Sequence, residues 1–170
     1  MGKTALIASL PRNTFEIINA DSRQVYRYLD IGTAKPDKEL LNAIPHHLID
    51  VCDPDEQFST GLFVREAERL ISEILERGHY PIIAGGTGYY LRNFLFGLPT
   101  GPGAFPSIRK DIMDEMSERG IEALFRELES VDPVTAGRIS RMDRYRIARA
   151  LEVFRGAGIP LSEFRVPCDL

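Results

Sequence analysis

Two short apolar runs constrain this chain most: Phe15-Glu16-Ile17-Ile18-Asn19-Ala20-Asp21 and Tyr80-Pro81-Ile82-Ile83-Ala84. Each is rich in β-branched residues and stops on polar or glycine residues, the form taken by buried strands of a parallel sheet. The first closes on Asp21-Ser22, the second on Gly85-Gly86-Thr87-Gly88. Open α/β sheets bind ligands at such carboxyl ends. Between the runs, residues 61–77 predict a helix. Leu62, Phe63, Leu70, Ile71, Ile74 and Leu75 recur at helical spacing, with Gly78 as its C-cap signal. A further helix is expected over Tyr89–Leu95.

Residues 3–10 predict a short apolar helix halted before Pro11. It opens on Gly2-Lys3-Thr4, which reads as the closing half of a phosphate-binding loop. In a complete loop, backbone N–H groups at a helix start cradle phosphates, the lysine adds a point charge, and the hydroxyl binds Mg²⁺. The tripeptide is common, and an ordinary helix start is the alternative. The helix and then a strand that follow give it weight. Gly2, Lys3 and Thr4 are therefore candidate phosphate contacts, with Thr4 the candidate metal ligand.

The Pro/Gly-rich link Gly97–Pro106 marks a boundary. Beyond it, helices are expected near 107–118, 121–129 and 143–155, the last capped by Asp143. The predicted fold is α/β: a P-loop NTPase-like parallel sheet core with a mainly helical insertion or second lobe. Residues 1–98 and about 140–170 are assigned to the core, and 99–139 to the insertion. Both ends read as cut, because no strand precedes Gly2 and no element closes Val166–Leu170.

Composition narrows the partners. In 170 residues, 44% hydrophobic and 27% charged content fits a soluble globular protein. The net charge of -4 supplies no global basic field, so a nucleic-acid partner needs a local basic patch. Cys52 and Cys168 stand far apart, which excludes a Cys-rich zinc site and points to a reduced cytoplasmic setting. The longest apolar runs are strand-sized, and no membrane association is expected.

Asp21, at a strand tip, can serve as general base, ligate Mg²⁺ through water, or cap a turn. The segment 23–36 mixes Gln, Arg, Tyr, Thr and Lys without an apolar period, which suits binding better than packing. Gly85–Gly88 is either a backbone-approach loop or a tight turn. Residues 138–155 hold six arginines against only Asp143 and Glu152. Ile147, Leu151 and Phe154 are expected to form the buried stripe there. Arg146 and Arg149 flank it, placed to reach a shared anion on a small molecule or RNA. Adjacent residues on a strand point opposite ways, so His46-His47 is not expected to bind metal; a structural or RNA-contacting role is expected instead.

Taken together, these motifs resemble the tRNA dimethylallyltransferase (tRNA isopentenyltransferase) family. The carrying segments are Gly2-Lys3-Thr4, Ile18–Tyr26, Asp30-Ile31-Gly32-Thr33-Ala34-Lys35-Pro36, Pro45–Asp50, Gly85–Leu91 and Arg146–Val153, in family order. The resemblance implies transfer of a dimethylallyl group from dimethylallyl diphosphate to N6 of an adenosine beside the tRNA anticodon, with Mg²⁺. It implies Asp21, Thr87 and Arg146 as catalytic, and Gly2, Lys3, Thr4 and Arg149 on the diphosphate. Ser22, Arg23 and Gln24 match tRNA contacts, and the insertion is expected to face tRNA. A monomer is expected, with weak or absent turnover if the protein lacks the segments missing at both ends. Three alternatives stand beside it: a relative acting on free adenine nucleotides, a small-molecule kinase, and an inactive RNA-binding fragment.

Overall fold

The computed structural model describes residues 2–9, 11 and 14–164, without the side chains of Lys3, Thr4 and Ala5. It divides into two units, Met1–Leu98 and Pro99–Leu170. The first is built on three parallel strands in the order β2-β1-β3, with β1 at Phe15–Asn19, β2 at His46–His47 and β3 at Tyr80–Ala84. Ile17 pairs with His46 on one side and Ile82 on the other. The central strand is as buried as its composition predicts, with Ile17 and Ile18 both shielded. β3 is more open than expected. It has one neighbour in the described sheet, and its Ile82, Ile83 and Ala84 are only half-buried.

Helix α1 (Lys3–Ala8) starts at Gly2, whose φ of 111° only glycine adopts freely. It stops two residues earlier than predicted, where Ser9 Oγ donates to the Leu6 carbonyl; Leu10 lies outside the described residues. The short helix α2 (Lys38–Ala43), capped by Asp37, was not anticipated. α3 (Thr60–Glu76) covers one sheet face with Phe63, Val64, Ala67, Leu70 and Ile74, packed against Ile18, Ala20 and Leu48. Its buried stripe is rotated from the expected one: Leu62 and Ile71 are half-buried and Leu75 is exposed. α4 (Gly88–Phe96) joins this core through Tyr90, whose ring stacks on Phe63 at 4.5 Å between centroids.

The second unit is helical: α5 (Pro106–Arg119), α6 (Ile121–Val131), α7 (Pro133–Arg138), α8 (Arg144–Ala157) and a 3₁₀ turn at Leu161–Glu163. Ile112, Met116, Leu124, Leu128, Ile147 and Leu151 form its core. Residues 140–164 thus belong with the helices, not with the α/β unit as the sequence grouping had it. The reason is α8, which buries Ala148, Ala150 and Val153 as well as Ile147 and Leu151, with α5 and α6 as partners. Phe154, expected on the stripe, is half-buried. Asp143 caps α8 as predicted, accepting from Arg146 N at 3.0 Å.

Glu16 ties together the amino-terminal end of the sheet. Its side chain is 4% exposed and accepts from Arg77 twice, at 2.8 and 2.9 Å; His47 Nε2 and His79 Nδ1 also contact it. The Arg77 guanidinium first, then the two imidazoles, outweigh burial and hold this carboxyl down to about 2. A depressed acid stabilises the folded state above its unfolded pKa and loses that contribution as pH falls through its folded one. A loss on the order of 3 kcal/mol is therefore expected between about pH 4.5 and 2. Urea titrations across this window should show it, and Glu16→Gln should flatten the profile.

Candidate active site at the carboxyl ends of the strands

β1 and β3 are brought together at their carboxyl ends by backbone contact. Ala20 N donates to Ala84 O at 2.8 Å, and Thr87 N returns a bond to Ala20 O at 3.0 Å. Gly85 makes this possible, since a Cβ there would lie 2.0 Å from the Ala20 carbonyl oxygen. The sequence left the Gly85–Gly88 loop open between two readings; at Gly85 the close neighbour is the protein's own backbone at Ala20. Thr87 Oγ1 accepts from Ser22 N at 2.9 Å and lies 3.2 Å from Ser22 Oγ. Three of the predicted residues, Asp21, Ser22 and Thr87, thereby occupy one place.

Asp21 serves the turn reading with one of its two carboxylate oxygens. Oδ1 accepts from Arg23 N at 3.0 Å and from Gln24 N at 3.4 Å, while Oδ2 has no hydrogen bond to a described residue. The residue is half-buried and lines a cavity of about 50 Å³ shared with Ile7, Ile17, Asn19, His46 and Gly85. His46 is a wall residue that the sequence reading did not assign to the site. Pairing with Ile17 sets it on that strand residue's face, opposite His47. Its Nδ1 lies 2.7 Å from Ile44 O, a pure acceptor, so Nδ1 carries the proton. Burial pushes its pKa down, keeping the ring neutral. Nε2 is therefore a buried lone pair without a partner among the described residues.

The segment after Asp21 is braced from within. Lys35, with 6% of its side chain exposed, donates to Tyr26 O and Asp30, each at 2.7 Å, and to Asp50. Burial works against its charge, but Asp30 and Asp50 outweigh that and raise its pKa. Gln24 Nε2 donates to Thr33 O at 3.0 Å and Ala34 O at 3.1 Å. Gln24, expected to touch RNA, thus uses its side-chain N–H groups to hold its own loop. Arg23 is exposed and forms no ion pair with a described residue.

In the helical unit, Arg146 and Arg149 engage different protein partners. Arg146 is exposed and pairs with Asp143 at 2.6 Å. Arg149 turns inward, donating to Pro102 O at 2.7 Å, Gly103 O at 3.1 Å and Glu152 at 2.9 Å. Glu152, fully buried, also accepts from Phe105 N at 2.7 Å; its Oε2 faces Arg109 at 3.3 Å without an aligned hydrogen bond. Arg155 spans Glu115 and Glu127. Most of the arginine cluster therefore holds the unit together, and nearby acids account for it.

The side chains of Lys3 and Thr4 lie outside the described residues. Among the described residues no group of three or more His, Cys, Asp or Glu could hold a metal ion. No helix among the described residues is long and apolar enough to cross a membrane.

A parallel sheet with a carboxylate at a strand tip defines an α/β protein whose candidate site lies outside the carboxyl ends of the strands. The IPP transferase family model matches residues 24–167, and the chain belongs to that family. It is 49% identical over 150 residues to a tRNA dimethylallyltransferase of Geobacter sulfurreducens, covering 88% of this chain and 48% of the relative. With the enzyme of that name from Myxococcus xanthus it shares 47% over 165 residues, covering 96% and 54%. The chain thus spans about half the length of these relatives. Among solved structures, the tRNA isopentenylpyrophosphate transferase of Bacillus halodurans matches with a TM-score of 0.53 and 39% identity, over 94% of this chain and 53% of that one. A eukaryotic dimethylallyltransferase acting on tRNA matches at 0.71 and 31% identity, over 95% and 40%. The expected fold class, an α/β P-loop-like core with a helical second unit, is the one observed.

Proposed function

We propose that this chain carries the donor and adenine sites of a tRNA dimethylallyltransferase. It would move a dimethylallyl group from dimethylallyl diphosphate to N6 of an adenosine beside the anticodon. The observation that carries this reading is Asp21: one oxygen fixed by the turn, the other without a hydrogen bond among the described residues, beside the Thr87–Ser22 clamp. An exocyclic amine is a weak nucleophile and needs a base at hydrogen-bond reach. Asp21 Oδ2 takes an N6 proton as the new C–N bond forms, and the allylic C–O bond breaks with its electron pair leaving on the diphosphate. Thr87, held by Ser22, lies beside this base to orient the adenine.

Charge building on the departing diphosphate must be neutralised, often the largest catalytic contribution. Gly2 and the start of α1 offer backbone N–H groups, and Lys3 adds a positive charge. On the family resemblance Thr4 would hold Mg²⁺, which would supply further neutralisation. Within the helical unit, Arg146 remains a candidate phosphate contact on the family resemblance, since an exposed guanidinium can exchange Asp143 for a phosphate oxygen. Arg149 would have to release the 102–103 carbonyls to bind an anion.

A thermal-shift titration with dimethylallyl diphosphate and Mg²⁺ tests the donor site. At a hundredfold excess over Kd, binding stabilises the folded chain by about 2.7 kcal/mol, a rise of several degrees in Tm. Dimethylallyl alcohol, which lacks the phosphates, should leave Tm unchanged. No rise with the diphosphate contradicts the assignment.

A further inference from the structure

The loop that follows Asp21 presents apolar groups to water from a braced base. Tyr28 is 80% exposed, Ile31 98% and Leu29 41%. Together with Arg23 and Thr33 they line an open hollow of about 690 Å³. Lys35 and Gln24 fasten both flanks of the loop, so these side chains are not exposed through looseness. Tyr28 also carries a positive φ of 67°, a conformation that costs a tyrosine and costs glycine nothing. Strain of this kind is retained where the surroundings over-determine it, commonly at binding sites. An exposed aromatic ring, an aliphatic tip and an arginine with no ion-pair partner among the described residues form a set suited to an unpaired nucleotide. The ring stacks on a base, and the guanidinium meets a phosphate. Asp21 Oδ1 caps the turn that leads into this loop, so the hollow follows the proposed base closely along the chain.

We propose that the Tyr28–Ile31 hollow binds an unpaired nucleotide neighbouring the target adenosine, stacking its base on Tyr28 and pairing its phosphate with Arg23. This rests on the tRNA reading above and adds a subsite to it. The hollow thereby selects RNA in which the target adenosine sits in an open loop, since a free mononucleotide has no neighbour to place there.

The test measures affinity for an RNA stem-loop with adenosine beside its anticodon triplet, by fluorescence anisotropy, together with Tm, for wild type, Tyr28→Gly, Tyr28→Phe and Arg23→Gln. Tyr28→Gly should weaken binding roughly tenfold or more through lost stacking. Its Tm should hold or rise, because glycine relieves the positive φ. Tyr28→Phe should bind as wild type does. Arg23→Gln should weaken binding and lower the salt slope by about one. Wild-type affinity in Tyr28→Gly overturns the proposal. So does a parallel fall in Tm and affinity, which would make the ring a structural contact, with another protein segment as its partner. A wild-type chain that ignores the stem-loop but is stabilised by dimethylallyl diphosphate overturns the subsite and spares the donor site. Loss of both would count against the broader reading.

Discussion

Asp21→Asn is expected to slow dimethylallyl transfer to tRNA by roughly 10²–10⁴-fold, the usual worth of a positioned general base. The fold should be untouched. An amide oxygen at that position can still accept from Arg23 N and Gln24 N, so the turn survives. What disappears is the second carboxylate oxygen, the one with no hydrogen bond to a described residue. Donor-induced stabilisation should persist, because the base acts on the acceptor amine. Single-turnover rates with Tm measured on the same samples would separate the two. A variant that transfers as fast as wild type removes Asp21 from the chemistry. A variant that unfolds shows that the turn, not the base, is its main task.

The second large effect is expected at a residue with no functional group. Gly85→Ala would drive a Cβ to 2.0 Å from the Ala20 carbonyl oxygen, and both partners are backbone. No side-chain rotation relieves such a clash, so β1 and β3 must part at their carboxyl ends. A stability loss of about 3 kcal/mol or more is expected, at the upper end for overpacked sites. The bonds Ala20 N to Ala84 O and Thr87 N to Ala20 O would stretch with it, uncoupling Thr87 from Ser22. Chemical denaturation should show the stability loss, and transfer assays below the melting range should show lost activity. Gly88→Ala is the control: nothing lies within 4 Å of a Cβ there, and its φ is not left-handed.

The parts of this design that were legible in the sequence are those that local pattern dictates. β1 announces itself through Ile17 and Ile18, α3 through its periodicity, and α8 through Asp143. The tip residues Asp21, Ser22 and Thr87 follow from where the strands stop, and the structure joins them within hydrogen-bond distance. What escaped depends on long-range partners. His46 becomes a cavity wall only through its register with Ile17, 29 positions away in sequence. Arg149 looked like an anion contact because its spacing from Arg146 is visible, whereas the carbonyls of Pro102 and Gly103 that engage it are not. Residues 140–164 were grouped with the wrong unit for a similar reason: apolar residues on several sides of α8 do not name their neighbours. The Asp30–Pro36 string marked a family but not its physical task, which Lys35 performs by bracing the loop.

The most direct measurement is acceptor choice. The chain is incubated with Mg²⁺, dimethylallyl diphosphate and either tRNA or AMP, and the products are digested and analysed by mass spectrometry, which registers even slow turnover. The expected result is dimethylallyl-adenosine from the tRNA, at the position beside the anticodon, and none from AMP. Modified AMP with unmodified tRNA would contradict the account.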